Sequence, residues 1–360
     1  MNARINKAQL DQIVTYILRE YDAFGVQKKN GHVAFDKLEK AGSLLTWTEK
    51  PVIPFKKILW SNGSSLLRGE VRWGEDVNKI TPPLAPPQGG GGQRRLAFLG
   101  LANCDAKALD IFLKEFAYTD LMPKRSEILV VTSECKPDEH CFCTAFDPFD
   151  KLRAGKNNFR YSDIHIQEED KNFEIFALTK AGQKIIEENG VSKFDKKLKI
   201  REIKLQNTEL LDLNSISKEI SDKHKHEEYW QKIADQCFAC GACTIVCPLC
   251  FCFRQNSCNT TESEKNELEN EKMEKCTNCI SWDSCYSASF SKITSHDFRP
   301  QNADRLHNWY HHKFSRSMVK NNYPLCTGCG RCISACPANL NQHGIIKGMV
   351  NNTNLSSRAE

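Results

Sequence analysis

Two cysteine runs with identical spacing lie toward the C-terminus. They occupy residues 237–247 and 326–336, and each is followed by a proline. Both read C-x2-C-x2-C-x3-C-P, the ligand pattern of proteins with two 4Fe–4S clusters, in which the fourth cysteine of a run ligates the other cluster. We therefore assign one cluster to Cys237, Cys240, Cys243 and Cys336, and the other to Cys326, Cys329, Cys332 and Cys247.

A structural zinc site is the alternative interpretation of these runs. Zinc sites of this kind take four ligands, commonly as two separated pairs. Two uninterrupted runs of four cysteines favour iron–sulfur clusters, because zinc does not need such a run twice. Small residues inside the runs, such as Gly241 and Gly328, would let the backbone approach a cluster and donate N–H hydrogen bonds to sulfur.

Four cysteines in the N-terminal half form a further candidate set. Cys104 and Cys135 each follow a stretch that reads as a buried strand, and Cys141 and Cys143 come after a short turn. The carboxyl ends of parallel strands meet at one edge of a sheet, where ligands bind. Four thiols are the number that a third 4Fe–4S cluster requires, so the set indicates such a cluster. Inert buried thiols are the alternative, because free cysteine is a common core residue.

The remaining cysteines divide into two groups. Cys250 and Cys252 directly follow the first run. We interpret them as unliganded thiols, with a place in the cluster cavity as the alternative, because eight ligands suffice for two cubanes. The other group contains a zinc-type C-x2-C pair, but a metal there is the less favoured interpretation because the segment is highly polar. Its members are Cys258, Cys276, Cys279 and Cys285.

The elements that would position the N-terminal cysteines follow a strand–helix–strand order. Apolar runs at 96–100 and 127–132 read as buried strands, and a helical apolar pattern occupies 105–116. This spacing predicts a parallel βαβ unit, so the N-terminal half is predicted to be α/β.

Shorter elements precede this unit. An apolar stripe over residues 7–21 predicts an amphipathic helix with Asn6 as its cap. Residues 33–35 and 57–60 read as short strands.

The fold class predicted from these patterns is an α+β multidomain protein. Residues 1–220 are predicted as an α/β domain, residues 221–345 as a mainly helical, ferredoxin-like domain with two 4Fe–4S clusters, and residues 346–360 as a polar tail. The very polar segment 256–275 separates the two cysteine runs and reads as an exposed insertion.

Composition excludes several classes of protein. The formal charge of +5 is modest and both signs are interspersed, whereas nucleic-acid binding needs a clustered basic face. The N-terminus has no apolar signal core, and no stretch approaches the apolar length of a membrane span. Cysteines in metal-ligand spacings are typical of a reducing compartment. We therefore expect a cytoplasmic metalloprotein.

Motifs for substrate chemistry are not found in the sequence. Residues 99–104 lack the second and third glycines of a dinucleotide fingerprint, and no Gly-x-Ser-x-Gly occurs. His307 and His311 share a helix face, but no glutamate follows the first histidine as in hydrolytic zinc sites. Basic groups in this helix, including Lys313, would instead raise the potential of a nearby cluster.

Several motifs follow one another in order along most of the chain. They lie at residues 98–105, 135–144, 237–253, 282–285, 299–300, 309–313 and 326–337. In this combination the chain resembles the β (electron-transfer) subunits of cytoplasmic sulfhydrogenases and the related A-type subunits of anaerobic sulfite reductases. The resemblance implies a 4Fe–4S dicluster subunit.

The resemblance also implies partners. Such a subunit relays electrons between a flavin- and NAD(P)-binding reductase subunit on one side and a catalytic subunit on the other, which is a nickel–iron hydrogenase or a sulfite reductase. One alternative is a self-contained iron–sulfur oxidoreductase with a flavin or substrate site in the N-terminal α/β domain. A cysteine-rich zinc scaffold is the other, and assays of iron, acid-labile sulfide and zinc would distinguish it.

Overall fold

A mixed eight-stranded sheet organises the N-terminal half of the chain. The computed structural model describes residues 2–60, 95–117, 122–146, 161–191, 205, 209–258 and 277–356. The strands of the sheet are β1 (Asn2–Asn6), β2 (Tyr21–Lys29), β3 (His32–Lys37), β4 (Trp47–Thr48), β5 (Arg95–Leu101), β6 (Ile128–Cys135), β7 (Ile164–Glu169) and β8 (Asn172–Ala177). They are ordered β1-β8-β7-β6-β5-β2-β3, and β4 also pairs with β6.

Helices accompany the sheet and build most of the C-terminal half. The N-terminal helices are α1 (Lys7–Glu20), α2 (Lys56–Leu59), α3 (Asn103–Glu115) and α4 (Lys180–Glu188). The C-terminal ones are α5 (Leu213–Ser221), α6 (Glu227–Ala234), α7 (Ala242–Ile245), α8 (Asn302–Tyr310), a π-helical segment (His311–Arg316), α9 (Ser317–Asn321), α10 (Arg331–Ser334) and α11 (Gln342–Ser356). Two hairpins complete this half: β9 (Phe253–Cys258) with β10 (Thr277–Trp282), and β11 (Lys292–Ile293) with β12 (His296–Asp297). Within the described residues, no helix is both long and apolar enough to cross a membrane.

The first helix forms as its sequence predicts. Asn6 caps α1 through a reciprocal pair of 3.0 Å hydrogen bonds with Gln9, a capping box that satisfies two otherwise unpaired backbone N–H groups. Its apolar stripe is buried against the sheet at Leu10, Ile13, Val14 and Ile17. The predicted helix with its Asn6 cap is therefore confirmed.

The centre of the sheet is parallel and its margins are antiparallel. Strands β2, β5, β6 and β7 pair in parallel, whereas β3, β8 and β1 pair antiparallel with their neighbours. Helix α3 connects β5 to β6, which confirms the predicted parallel βαβ unit. The N-terminal half is therefore a mixed α/β structure built around that unit.

The short strand predicted at residues 57–60 is wrong. This segment forms the single-turn helix α2, and the Trp60 N–H donates to the Lys56 carbonyl oxygen at 2.6 Å. Leu59 and Trp60 are buried in the core with α3. A short apolar run has no periodicity that separates a strand from a buried helical turn, so only the packing decides between them.

The two halves of the chain share a hydrophobic core. One face of the sheet packs on α1 and α4, and the other packs on α2 and α3. Leu249 and Leu325 from the C-terminal half join this second core. The predicted boundary at residue 220 falls inside α5, whose Ile216 and Ile220 pack with the C-terminal helices.

The structure describes only part of two other predicted segments, the tail at 346–360 and the insertion at 256–275. The predicted tail begins inside α11, where Ile346 and Met349 are buried. Residues 256–258 of the predicted insertion belong to β9, and the rest of it lies outside the described residues.

Candidate metal centres

The first cavity is bordered by three cysteines of the first run and the last cysteine of the second. Cys237 and Cys240 lie in the loop before α7, Cys243 lies in its first turn, and Cys336 follows α10. These four cysteines line one cavity. Gly241 begins the turn with φ +75°, and a Cβ there would lie 2.9 Å from Ser284 Cβ, so the loop needs glycine at this position.

The second cavity has the reciprocal composition. It is lined by four cysteines, and Thr327 and Lys313 also form part of its wall. The cysteines are Cys247, Cys326, Cys329 and Cys332. Each cavity therefore brings together the four cysteines that the sequence assigns to one cluster, including the fourth residue of the opposite run.

The donor groups around both cavities fit a 4Fe–4S cluster. Backbone N–H groups donate to cysteine sulfurs at 3.4 Å, for example Leu340 to Cys336 and Gly328 to Cys326. The hydroxyl of Thr327 is buried in the wall of the second cavity and has no hydrogen-bond partner among the described residues. Thiols that surround a cavity, with backbone N–H groups donating to their sulfurs and an unpartnered hydroxyl in the wall, match the ligands and hydrogen bonds that such a cluster takes.

A buried lysine borders the second cavity. Lys313 Nζ donates to Cys247 Sγ at 3.2 Å and to the Leu325 carbonyl oxygen at 2.9 Å, and it lies 5.2 Å from the centroid of the Trp309 ring. Burial opposes its charge, but the Cys247 and Cys250 sulfurs raise the pKa of Lys313 well above its ordinary value. A positive charge therefore lies against a candidate ligand sulfur.

The four N-terminal cysteines also lie together. Cys104 is in the first turn of α3, Cys135 ends β6, and Cys141 and Cys143 follow in the next loop. Cys104 packs with Cys135 and Cys143 in a small buried cluster that also includes Cys329. Burial raises the pKa of Cys143 to about 12, so loss of its proton needs a nearby positive charge.

Lys50 supplies a positive charge at this N-terminal group. Strand β4 pairs with the end of β6, so that Thr48 lies opposite Cys135 and the chain then reaches Lys50. Lys50 is almost wholly buried, and its Nζ contacts Cys141 Sγ at 2.7 Å and Asp138 Oδ2 at 3.1 Å. The sequence analysis missed Lys50, because a lysine about ninety residues before its partner carries no local signal.

The N-terminal group adjoins the second cavity. Phe142 lines that cavity, and its N–H donates to the Gly328 carbonyl oxygen at 2.9 Å. A Cβ on Gly328, where φ is +67°, would lie 2.5 Å from the Phe142 carbonyl oxygen, so glycine permits this close approach. Beside it, Arg331 binds Asp105 through two hydrogen bonds of 2.6 and 2.7 Å, with both side chains buried.

The remaining cysteines differ in their surroundings. The thiol of Cys250 hydrogen-bonds to Cys247, and that of Cys285 hydrogen-bonds to Cys252. Cys276 lies outside the described residues, so the metal site predicted with it stays a prediction. In α8, His307 Nε2–H donates a 2.9 Å hydrogen bond to the Ile220 carbonyl oxygen, and its ring stacks on that of His311, which gives this pair a packing role.

Comparisons with known proteins agree with the cysteine pattern. Residues 236–340 match the family model of a 4Fe-4S dicluster domain. The chain is 27% identical over 281 residues to the sulfhydrogenase 2 subunit beta of Pyrococcus furiosus, covering 69% of this chain and 72% of that protein. No solved structure matches the chain. These similarities support iron–sulfur clusters in this chain and a resemblance to a sulfhydrogenase β subunit over most of its length, as its motifs predict, and with them a role in iron–sulfur electron transfer.

Proposed function

We propose that this chain is a relay subunit that passes single electrons between two other subunits of an oxidoreductase complex. The observation that carries the proposal is the reciprocal exchange of cysteines: Cys336 completes the first cavity and Cys247 completes the second. The ligands would be Cys237, Cys240, Cys243 and Cys336 in the first cavity, and Cys326, Cys329, Cys332 and Cys247 in the second.

A bound 4Fe–4S cluster supplies one-electron redox chemistry with little movement of its ligands. The residues of the chain would hold and tune it. Their thiolates would ligate the iron, backbone N–H groups donate hydrogen bonds to the candidate ligand sulfurs, and Lys313 would offset the negative charge that reduction adds.

Cys104, Cys135, Cys141 and Cys143 would hold a third cluster. Because Cys329 packs against this group and also lines the second cavity, we infer a relay in the order N-terminal group, second cavity, first cavity. Cys243 in α7 lines the first cavity, and Cys247, two residues after α7 ends, lines the second. The first cavity approaches the surface, since Cys240 is exposed and Phe238 is 70% exposed. That end of the relay suits exchange of electrons with a partner.

The name of the Pyrococcus relative guides the choice of partners. We infer a flavin- and NAD(P)-binding reductase subunit on one side, and a nickel–iron hydrogenase or sulfite reductase catalytic subunit on the other. Within the chain, the abundance of cysteine sites beside the lack of an acid–base or nucleophile motif in the sequence supports a carrier of electrons over a site of substrate chemistry.

The test uses the purified full chain, reconstituted with iron and sulfide under anaerobic conditions. Dithionite should bleach its visible cluster absorbance, whereas NAD(P)H should not. Addition of the flavoprotein partner should let NAD(P)H bleach the same bands. Steady oxidation of NAD(P)H by the single chain, with flavin released on denaturation, would overturn the relay and support the self-contained oxidoreductase.

A further inference from the structure

Two cysteines outside the proposed ligand sets lie in direct contact. The Cys252 carbonyl oxygen accepts a 3.0 Å hydrogen bond from the Asp283 N–H, which continues the pairing of β9 with β10 by one step. A turn then follows, in which the Ser287 N–H donates to the Ser284 carbonyl oxygen at 2.9 Å. This turn returns the chain, so that both the thiol and the backbone N–H of Cys285 donate to the Cys252 sulfur.

The contact between these sulfurs joins two cysteines that are not among the residues lining either cavity. Their sulfurs hydrogen-bond directly to each other. Two thiols in contact are the arrangement that a disulfide requires.

The pair lies beside both cavities. Tyr286, the neighbour of Cys285, lines the first cavity, and Cys285 interacts electrostatically with Cys243 of that cavity. Lys313, which contacts Cys247 of the second cavity, also interacts with Cys252 and Cys285. The pair therefore neighbours a residue of each cavity, Cys243 in the first and Lys313 in the second.

We propose that Cys252 and Cys285 are a redox-active dithiol that exchanges electrons with the clusters, which rests on the proposed function for its electron partners. On oxidation the two S–H bonds break and one S–S bond forms. Two protons leave toward solvent past Cys252, which is only half-buried, and two electrons pass singly to two oxidised 4Fe–4S clusters. The reverse reaction consumes two electrons and two protons. The pair thus couples a two-electron dithiol/disulfide reaction to one-electron carriers. The reduction potentials of protein disulfides and 4Fe–4S clusters overlap, so electrons can pass in either direction.

The test follows the state of the two thiols in the cluster-loaded full chain. The protein is poised anaerobically over a series of potentials, denatured in excess N-ethylmaleimide and digested without reductant. Mass spectrometry should find a Cys252–Cys285 linked peptide that rises from almost none to the majority of the chains as the potential rises. Its rise should follow a two-electron curve while the iron content stays constant. Labelling of both thiols at every potential, with iron and cluster absorbance intact, would overturn the proposal.

Two variants test whether these cysteines form a redox-active pair or ligate a cluster. Cys285→Ser should abolish the linked peptide and leave the iron content unchanged. The matched control, Cys250→Ser, should retain the link, because the Cys250 thiol hydrogen-bonds to Cys247. Loss of about four irons on Cys285→Ser would identify a cluster ligand and overturn the proposal. A wild-type chain that binds no iron would reject the cluster assignment, and with it the electron partner of the pair.

Discussion

At the scale of single residues, Lys313 places a positive charge against a candidate ligand of the second cavity. It is 2% exposed, and its ammonium lies 3.2 Å from the sulfur of Cys247. Reduction adds a negative charge to a cluster, and a hydrogen bond from a cation stabilises that charge. A cluster bound in the second cavity should therefore be reduced more readily than it would be without this side chain.

Lys313→Met should lower the midpoint potential of the cluster in the second cavity. A hydrogen bond to a charged group contributes roughly 1.5–3 kcal/mol, which for one electron corresponds to about 60–130 mV. A redox titration followed by EPR measures the shift. Lys320→Met is the control, because Lys320 is 61% exposed and pairs only loosely with Glu115. An unchanged potential in Lys313→Met would show that this charge does not act on the cluster.

The crossed assignment of Cys247 gives a second prediction at this scale. Cys247→Ser should remove or alter the EPR signal of the cluster held by the second run, since Cys247 lines that cavity. Cys336→Ser is the reciprocal variant and should affect the cluster of the first run. If Cys247→Ser affects only the cluster of Cys237, Cys240 and Cys243, the assignment is wrong.

At the scale of elements, the ion pair between Asp105 of α3 and Arg331 of α10 joins the two halves of the chain. Both side chains are at most 4% exposed. Arg331→Met should destabilise the protein by about 3–5 kcal/mol, because it leaves a buried carboxylate without its partner. The double variant Asp105→Asn/Arg331→Met should recover part of this loss.

Anaerobic thermal unfolding measures these changes in the cluster-loaded protein. The exposed pair of Lys7 and Asp11 is the control, and Lys7→Met should cost less than about 0.5 kcal/mol. If the loss of stability in the double variant equals the sum of the losses in Arg331→Met and Asp105→Asn, the two side chains are not directly coupled.

The loop that carries Gly328 packs on the N-terminal loop and gives a further prediction. Gly328→Ala should lower the melting temperature and reduce the iron in the second cavity, because a Cβ there meets the Phe142 carbonyl oxygen at 2.5 Å and φ is +67°. Gly42→Ala is the matched control, since a Cβ at Gly42 meets nothing within 4 Å. Equal behaviour of the two variants would mean that the loops do not need this close approach.

At the scale of the whole molecule, iron content tests how many clusters the chain holds. Three clusters require about twelve irons per chain and two require about eight. We expect about twelve after anaerobic reconstitution, falling to about eight in the double variant Cys104→Ser/Cys143→Ser, because these cysteines belong to one buried group. Four irons or fewer in the wild-type chain would contradict the assignment of one cluster to each of the two cavities.

The prediction of the fold from sequence succeeded where the signal was local. The capping box of Asn6 and Gln9 and the apolar runs of β5 and β6 act through neighbours in the chain, so the helix and the βαβ unit were found. Residues 57–60 were misassigned because a four-residue apolar run suits either a strand or a buried turn. The antiparallel margins of the sheet depend on pairing between distant strands, which the sequence does not display.

The expectation of iron–sulfur ligation came from the sequence, because the spacing of cysteines within a run is a local property of the chain and matches the ligand geometry of a cubane. The surroundings of those cysteines follow from the tertiary structure. Lys50, Lys313 and the Asp105–Arg331 pair reach their sulfurs or each other across long stretches of chain, and the contact of Cys252 with Cys285 depends on a hairpin and a turn. Burial and charge act through space, so the neighbours that tune each site become visible only after the chain has folded.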